Sequence, residues 1–254
     1  MVQYSGFESA TPQEVLSWAL STFGSSLAIS TSFQKEGMVV IDMAARIDPR
    51  VRVFTIDTGR LPEETHQMME TVRQHYGIPV EIVFPEASEV ESMIGKHGPN
   101  LFYREVPLRK LCCQVRKVRP LERKLATLSA WVVGLRRSQT ESRAETRKVE
   151  DRNGVVKISP LADWSKQQVE DYTRQHGVPV HPLYAKGFPS IGCGPCTRAT
   201  FDCEDERAGR WWWEQDEEKE CGIHIAPDGL VTRQVDVLLT GIGSAAVPDS
   251  MSCS

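Results

Sequence analysis

Five cysteines of this chain occur in groups whose spacing suits metal or sulfur chemistry. Two groups are close pairs, and the third is a lone thiol near a histidine: Cys112-Cys113, Cys193-Gly-Pro-Cys196, and Cys221 with His224. Four paired thiols are enough to hold a metal ion or an iron–sulfur cluster. A lone thiol beside an imidazole is a candidate nucleophile. The pattern therefore indicates a metal or cluster site together with a separate reactive thiol.

Adjacent cysteines favour an iron–sulfur cluster over a zinc ion. Cys112 and Cys113 would be cramped on one tetrahedral zinc, whereas in a cluster each thiolate takes a different iron. Both can face one cofactor only where the chain turns or enters a helix, because neighbouring side chains of a strand point to opposite faces. The pair Cys193 and Cys196 has the looser spacing that fits either metal. Zinc, four ordinary buried thiols and a thioredoxin-like redox pair at Cys193 and Cys196 are the alternatives.

The segment around Cys221 has the features of a nucleophilic thiol. In a helix, its spacing to His224 would place thiol and imidazole on one face. Only the thiolate attacks, and cationic groups lower the pKa of a thiol, so Arg207, Arg210 and His224 are candidate activators. The alternative is that Cys221 is a small buried side chain. The charged run at residues 217–220 favours an exposed segment instead.

Two other segments, each at the end of a predicted strand, suit an anionic ligand. Residues 30–37 join a strand to a helix, where backbone N–H groups and the helix dipole bind anions. They lack the Walker consensus GxxxxGK[ST], so a plain strand-to-helix turn is the alternative. Residues 57–60, Asp-Thr-Gly-Arg, follow the next strand, at the sheet edge where α/β proteins bind ligands.

A basic stretch lies beside the first cysteine pair. Residues 104–124 hold eight lysines and arginines. A solvated helix face is their default role, because the chain is acidic overall and the stretch has little of the aromatic interleaving that nucleic-acid binding uses. Lys117 is the exception, since one helical turn from Cys113 it can lie near both a cofactor and a substrate. Nucleic acid is therefore not an expected partner.

Length, charge and composition limit the class of protein. The 254 residues are 40% hydrophobic, which is enough for the core of one large domain or two small ones. A net charge of −4 gives no overall signature for an anionic membrane, and no apolar run approaches the length of a membrane span. The N-terminal sequence has no signal-peptide pattern, so the seven cysteines predict a protein of the reducing cytoplasm.

Strand-like and helix-like segments alternate along the first half of the chain. The predicted strands are 26–30, 51–56, 80–84, 130–135 and 155–158, and the predicted helices are 38–47, 62–76, 115–128 and 164–176. Helical crossovers of this length suit parallel strands, so we expect a mostly parallel sheet covered by helices on both faces in a single α/β domain. Residues 136–153 are too polar for a core and predict a long loop. The chain is loop-rich from residue 184, and its end is expected to be disordered.

Together these motifs resemble the iron–sulfur-containing adenylyl-sulfate reductases of bacterial sulfate assimilation. The matching segments are residues 30–36, 57–60, Cys112-Cys113 with Arg116-Lys117, Gly134-Leu135-Arg136-Arg137, Cys193-Gly-Pro-Cys196, Arg207 with Arg210, and Glu220-Cys221-Gly222-Ile223-His224. They occur in the family's order and cover roughly residues 15 to 224. The resemblance implies an adenine nucleotide alpha hydrolase-like fold, with a reductase domain over residues 1–224 and an extension over residues 225–254.

The resemblance also implies roles for individual residues. A 4Fe-4S cluster is expected on the paired cysteines Cys112, Cys113, Cys193 and Cys196. Cys221 is expected to attack the sulfur of adenosine 5′-phosphosulfate, so that AMP leaves and a thiosulfonate remains on the thiol. Reduced thioredoxin, or a glutaredoxin-like reductant, then releases sulfite for cysteine biosynthesis. Lys117 and His224 are expected to assist catalysis, and the expected substrate-binding residues are Ser30, Ser32, Phe33, Glu36, Ile56, Arg60, Gly134, Arg136, Arg207 and Arg210.

Three other functions stay open at this point. The related reductases of 3′-phosphoadenylyl sulfate resemble this chain around Cys221 but lack the four paired cysteines, and a dual-substrate enzyme is a variant of the same hypothesis. An ATP pyrophosphatase would need an SGGxDS-type loop, which residues 30–36 lack. An iron–sulfur sensor or zinc module would leave Cys221 and His224 without a role. Unlike the family, the chain continues for thirty residues beyond His224, which could dock on the body, extend a lid or assemble a homo-oligomer.

Overall fold

A six-stranded sheet organises the part of the chain that the structure describes. The structure is a computed structural model and describes residues 4–152 and 154–214. The strands are β1 (Leu27–Ser30), β2 (Val53–Ile56), β3 (Val80–Val83), β4 (Ala130–Val133), β5 (Val149–Arg152) and β6 (Val155–Ile158). Their spatial order is β3-β2-β1-β4-β6-β5. All neighbouring strands are parallel except β5, which pairs antiparallel with β6.

The sheet has a topological switch point between β1 and β4. The chain lays β2 and β3 on one side of β1, and then returns to place β4 and β6 on the other side. The loops that follow β1 and β4 therefore lie on the two sides of a topological switch point. In open α/β sheets the crevice between two such loops is where ligands bind.

Seven α-helices accompany the strands within the described residues. They are α1 (Pro12–Phe23), α2 (Lys35–Ile47), α3 (Glu63–Tyr76), α4 (Ala87–His97), α5 (Val106–Cys113), α6 (Arg119–Leu125) and α7 (Lys166–His176). A π-helical segment, Gln114–Val118, joins α5 to α6. Two helices begin with capping boxes that the sequence itself carries, Thr11 with Glu14 for α1 and Ser165 with Gln168 for α7.

Alternation along the strands divides the core between the two faces of the sheet. Leu27 and Ile29 of β1 pack in one buried cluster with side chains of α1, α2, α3 and α7. Ala28, between them in sequence, packs on the other face with Leu121 of α6 and Phe54. Successive side chains of a strand point to opposite faces, so an apolar run such as residues 27–29 serves both clusters. The predicted parallel sheet with helices on both faces is confirmed.

Several local expectations were wrong. The helix predicted from Val115 begins at Val106 and passes through the π-helical segment. Residues 136–153 do not form one long loop: they contain two short 3₁₀ turns and the edge strand β5. The polarity that suggested a loop is explained by the edge position, because Asp151 and Arg152 of β5 are exposed. The sequence pattern did not predict α1 or α4. None of the helices described in residues 4–152 and 154–214 is long and apolar enough to cross a membrane.

His181 is a buried histidine that ties the chain after α7 to α3. Its Nδ1 accepts a hydrogen bond from the Leu183 backbone N–H at 3.3 Å, so in the neutral ring Nε2 carries the proton. That Nε2 lies 3.1 Å from the Thr65 hydroxyl, to which it donates. Burial lowers the pKa of His181 from 6.5 to about 4. The folded protein therefore keeps the ring neutral at a pH where the unfolded chain binds a proton.

We predict that this histidine makes the fold sensitive to acid. The native state has the lower pKa, so the contribution of His181 is complete above pH 6.5 and is lost as the pH falls towards 4. Between pH 7.5 and pH 4.5 the free energy of unfolding should fall by about 2.5 kcal/mol from this group alone. Urea unfolding at the two pH values measures it. In His181→Asn, whose side chain can still accept the Leu183 N–H, that part of the loss should disappear; an unchanged pH dependence would contradict the assignment.

Candidate active site

A cleft lies at the carboxyl edge of the sheet, beside the ends of β1 and β4. It encloses about 1110 Å³ of space, including its open mouth. Of the residues predicted to bind substrate or act in catalysis, those that line it are Ser30, Ser32, Glu36, Ile56, Lys117, Gly134 and Arg210. These residues come from the ends of three parallel strands, the start of α2, the π-helical segment and the loop before residue 211. The topology thus brings together segments that are far apart in sequence.

The loop after β1 is held in a fixed shape by its own side chains. The Thr31 hydroxyl accepts the backbone N–H of Phe33 at 2.9 Å, and the Thr55 hydroxyl donates to the Thr31 carbonyl at 2.8 Å. Phe33 has a positive φ of 59°, and its side chain is fully buried in the core. Phe33, predicted to bind substrate, therefore lies in the core and does not line the cleft. The helix α2 begins two residues later, and its first N–H, that of Lys35, donates to the Tyr184 hydroxyl at 3.3 Å. The next two residues, Glu36 and Gly37, line the cleft, so their N–H groups and the helix dipole lie beside it.

Two glycines allow the loop after β4 to approach the start of α2. A Cβ atom at Gly134 would lie 2.6 Å from the Glu36 carbonyl carbon and 2.6 Å from the Gly37 nitrogen. A Cβ atom at Gly37 would lie 2.6 Å from the Thr31 hydroxyl oxygen. The close atoms at Gly134 belong to the backbone, so a side chain is excluded there unless α2 moves, whereas those at Gly37 belong to the Thr31 side chain. Closely packed backbone at Gly134 thus suits close approach of a ligand.

Arg210 is a buried cation at the wall of the cleft. Its guanidinium carbon lies 4.6 Å from the centre of the Trp211 ring, and Nη1 donates to the Ile191 carbonyl at 3.4 Å. The group occupies the space that a side chain at residue 192 would need, because a Cβ at Gly192 would lie 2.4 Å from Nη2. Stacking and the missing side chain together fix the direction of this positive charge.

A second, smaller cavity of about 690 Å³ adjoins the cleft. Arg136 lines this cavity rather than the cleft, and its Nε donates to Glu36 at 2.8 Å. Arg207 lines the same cavity. Glu36 belongs to both cavities, and so does Arg143, which the sequence analysis did not single out. The basic residues predicted to bind substrate are therefore divided between two connected spaces.

The four paired cysteines line one apolar pocket. Cys112 and Cys113 form the last turn of α5, and a tight turn brings the Cys196 N–H to the Cys193 carbonyl at 2.9 Å. All four line a space of about 370 Å³ together with the basic residues Arg60, Arg109, Arg116 and Lys117. Arg60, predicted to bind substrate, lies here and stacks over Phe102. The helical turn lets two adjacent cysteines face one space.

The turn after β2 connects this cysteine pocket to the cleft. The Thr58 hydroxyl lies 3.2 Å from the Cys193 sulfur, and the Gly194 N–H donates to the Arg60 carbonyl at 2.8 Å. Arg116, three residues after Cys113, donates to the Thr58 carbonyl at 2.8 Å. Thr58 and Cys193 line the cleft as well as the pocket. The turn is therefore bound to Cys193 directly and to the helix of Cys112 and Cys113 through Arg116.

Lys117, from the basic stretch at residues 104–124, lines both the cleft and the cysteine pocket. It lines the cleft beside Leu121 and the pocket beside Cys113. Its position in the π-helical segment, directly after the cysteines, accounts for this placement. A single positive charge at the junction can interact with an anion on either side.

The chemistry of the pocket fits a thiolate-bound iron–sulfur cluster. Burial raises the pKa of the Cys112 thiol to about 11 and that of the Cys196 thiol to about 12, so metal binding there must displace protons. Surrounding guanidinium and ammonium groups compensate the negative charge that thiolates would bring into an apolar pocket. Within residues 4–152 and 154–214, no group of three histidine, cysteine or acidic side chains has the arrangement of ligands around a single metal ion. A cluster does not require that arrangement, because each thiolate binds a separate iron.

Some predicted residues lie elsewhere. Cys221 and His224, the candidate nucleophile and its partner, are outside the described residues, as is the extension over residues 225–254. Cys203 is exposed and lines neither the cleft nor the pocket. Trp131 was predicted only as part of a strand, yet it lines the cleft, and in the described part of the chain its indole N–H is buried without a hydrogen-bond partner. No sequence signal distinguished it from the apolar residues beside it.

We predict that Gly134→Ala disturbs the cleft through the backbone. Because the new methyl group would meet main-chain atoms of residues 36 and 37, α2 must shift, and the free energy of unfolding should fall by about 1–3 kcal/mol. Gly95→Ala in α4 is the matched control, since nothing lies within 4 Å of a Cβ there. Chemical denaturation should show the control to be neutral or slightly stabilised. Equal losses in both variants would contradict the close approach.

Comparisons with known proteins agree with this arrangement. The family model of the phosphoadenosine phosphosulfate reductase domain matches residues 26–199. An adenosine 5′-phosphosulfate reductase of Allochromatium vinosum is 48% identical over 78% of this chain and 78% of its own length. One of Burkholderia cepacia is 46% identical over 77% and 79%.

Solved structures point the same way. A phosphoadenylyl-sulfate reductase from Candida auris, solved as a phosphate complex, superposes with a TM-score of 0.66 at 28% identity, over 78% of this chain and 98% of that one. A yeast FAD synthetase shares only the fold, at 13% identity, with a TM-score of 0.52 over 78% and 70% of the two chains. The chain belongs to the phosphoadenosine phosphosulfate reductase family.

Proposed function

We propose that this protein reduces adenosine 5′-phosphosulfate to sulfite and AMP, with Cys221 as nucleophile and reduced thioredoxin as electron donor. The observation that carries the proposal is the shared wall between a cleft at the switch point of the sheet and a pocket lined by four cysteines. The names of the relatives at 48% and 46% identity support the substrate. The free cysteines of the described residues suit the reducing cytoplasm as the compartment.

The charges of the two cavities suit the phosphosulfate group. Lys117 and Arg210 line the cleft, and Arg207 lines the adjoining cavity. The start of α2 adds backbone donors and the positive end of a helix dipole. Cations aimed at the bridging and leaving oxygens stabilise the charge that develops as the sulfur–oxygen bond breaks. The nucleoside would then occupy the part of the cleft near Ile56 and Gly134.

The proposed reaction proceeds in two thiol steps. The Cys221 thiolate attacks the sulfur of the substrate; a sulfur–sulfur bond forms, the sulfur–oxygen bond to the phosphate breaks, and AMP leaves. The enzyme now carries a sulfo group on Cys221. A thioredoxin thiolate attacks the Cys221 sulfur and releases sulfite, and the second thioredoxin thiol resolves the mixed disulfide. Thioredoxin loses two electrons and becomes a disulfide, and the sulfur that entered as sulfate leaves as sulfite. His224 is the proposed acid–base partner of the thiol.

The paired cysteines are proposed to hold a 4Fe-4S cluster. When bound, such a cluster would supply a fixed charged centre and would hold the two cysteine pairs together, while thioredoxin supplies both electrons. Cys112, Cys113, Cys193 and Cys196 are the proposed ligands. The hydrogen bonds that residues 58–60 make with Cys193, Gly194 and Arg116 would orient these ligands.

A substrate with a 3′-phosphate is the second candidate. The matching family model and the Candida auris structure both carry the phosphoadenosine or phosphoadenylyl name. The paired cysteines favour the nucleotide without that phosphate, as the resemblance implies. Comparing sulfite release from the two nucleotides at equal concentrations separates a selective enzyme from a dual-substrate one.

Replacing the proposed nucleophile tests the covalent step. In Cys221→Ser, sulfite release with thioredoxin should fall to background, because a serine hydroxyl cannot form the thiosulfonate that a thioredoxin thiolate attacks. Without thioredoxin, the wild-type protein should gain the mass of one SO₃ group on Cys221. Cys203→Ser changes an exposed cysteine and should keep full activity. Undiminished sulfite release in Cys221→Ser would remove the proposed mechanism.

Lys117→Ala should separate chemistry from cofactor binding. If the ammonium group stabilises the leaving phosphate, sulfite release should fall at least about 100-fold while iron content stays at the wild-type level. Lys110→Ala, an exposed lysine on α5, is the control and should leave both unchanged. Iron analysis and steady-state assays measure the two quantities. Parallel loss of iron and activity in Lys117→Ala would instead point to a structural lysine.

A further inference from the structure

The two edges of the sheet differ in what they present to solvent. β5 forms one edge with the sequence Val-Glu-Asp-Arg, and charged side chains protect an open edge from pairing with other chains. β3 forms the other edge with Val-Glu-Ile-Val, and Phe84 follows it. Ile82 and Phe84 are 42% and 53% exposed, and within residues 4–152 and 154–214 no strand lies beyond β3. An apolar open edge of this kind is suited to strand pairing.

The backbone of β3 presents hydrogen-bonding groups along this edge. The Val83 carbonyl accepts the Asp57 N–H at 3.0 Å, so the polar backbone groups of Val83 point towards β2. Along a parallel edge strand the direction of these groups alternates from one residue to the next. The backbone groups that point away from the sheet therefore belong to the outer strip, Val80, Ile82 and Phe84. Arg123 donates to the Phe84 carbonyl at 2.6 Å, and that oxygen has a second lone pair for another donor.

The sequence around β3 is symmetric about Ile82. Residues 79–85 read Pro-Val-Glu-Ile-Val-Phe-Pro, with a proline at each end. Proline cannot donate to the ladder with β2, so the strand ends at both prolines and only residues 80–84 are available for pairing. In an antiparallel pair of two copies centred on this residue, Ile82 faces Ile82 of the second copy and Phe84 faces its Val80.

The side chains on both faces of such a pair are compatible. On one face the outer strip packs against its own copy, and pairs of aromatic and β-branched side chains across two strands are favourable. On the other face Glu81 lies opposite Val83 of the second copy. The Glu81 carboxylate already accepts hydrogen bonds from Arg52 at 3.3 Å and from Lys124 at 2.5 Å. The pairing therefore brings no two like charges of β3 opposite each other.

We propose that β3 is the interface of a two-fold symmetric homodimer, in which antiparallel β3 strands join the sheets of two copies. A two-fold interface requires a surface that is complementary to itself, and the outer strip meets this requirement. The joined sheet has no open edge at β3, which removes the exposed apolar edge of the single copy. None of the outer strip lines the cleft, so the pairing is independent of the proposed reaction.

Sedimentation of the full-length protein over a range of concentrations measures the dimer. We expect a reversible equilibrium between monomer and dimer. In Ile82→Lys two ammonium groups would face each other at the two-fold axis, and the contact between two isoleucines would be lost. The dissociation constant of the dimer should therefore rise at least about 100-fold. Because Ile82 is half-exposed in the single copy, circular dichroism should show an unchanged fold.

A mixture of opposite charges tests where the two-fold axis lies. Ile82→Lys and Ile82→Glu should each associate weakly, because like charges face each other. Their equimolar mixture should form a heterodimer at least about fivefold more tightly than either variant pairs with itself. Native mass spectrometry with one variant labelled with nitrogen-15 distinguishes the heterodimer from the two homodimers.

Val180→Lys is the matched control. Val180 is an apolar residue of similar exposure, 45%, but it lies in the loop after α7. The same change of charge there should leave the dissociation constant at the wild-type value. If the Ile82 variants prove insoluble, Phe84→Glu changes the other exposed residue of the outer strip, and it should weaken the dimer in the same direction.

Four results would overturn the inference. The first is a wild-type protein that stays monomeric at every concentration at which it is soluble. The second is a dimer of Ile82→Lys with the wild-type dissociation constant. An equal weakening in Val180→Lys would show a general effect of surface charge. A mixture of Ile82→Lys and Ile82→Glu without preferred heterodimers would exclude a pairing centred on Ile82.

Discussion

The hydrogen bonds of the turn after β2 hold the whole site together. Residues 57–60 follow a central parallel strand, and they contact Cys193 and Gly194 of one cysteine pair and Arg116, three residues after the other pair. The carbonyl of Thr58 accepts Arg116 from the helix after Cys113, while the Thr58 hydroxyl contacts the Cys193 sulfur. Because this turn also borders the cleft, the position of the cysteines and the shape of the ligand space are set by the same few atoms.

With this arrangement, the proposed cluster would assist catalysis even though it transfers no electrons to the substrate. A centre held by four thiols would join two chain segments that are about 80 residues apart in sequence, and it would fix Lys117 at the junction of pocket and cleft. In the proposed reaction, the cluster and the turn would fix the position of the positive charge, and the redox chemistry would belong to thiols alone.

Much of the fold could be predicted from the sequence because parallel strands leave strong signals. The buried runs at residues 27–29 and 130–133 are apolar on both faces, and polar segments follow them, the second one beginning with Gly134. The edge strand β5 gave no such signal, since a strand with one free edge needs few apolar residues. The π-helical segment was also missed. Pro120 has no N–H to donate to the Arg116 carbonyl, so it interrupts the helical pattern of residues 106–125, but only the structure shows the altered winding beside Cys113.

The site was predictable in its parts but not in its connections. The cysteine spacing indicated a cofactor pocket, and the position of Lys117 after Cys113 indicated a shared lysine. The pairing of Arg136 with Glu36, which are 100 residues apart, and of Arg109 with Glu214, which are 105 apart, depends on tertiary contacts that no local pattern encodes. Trp131 likewise needed the sheet register to be placed in the cleft, since in sequence it is one more apolar residue of a strand.

In the proposed function, the cleft and the cysteine pocket form one functional unit. Mössbauer spectroscopy of iron-57-labelled protein, recorded with and without saturating AMP, can test this unity. We expect the spectrum of a 4Fe-4S cluster whose parameters change when AMP occupies the cleft, because Thr58, Lys117 and Cys193 line both spaces. A spectrum without a cluster, or a cluster spectrum that AMP leaves unchanged, would contradict it.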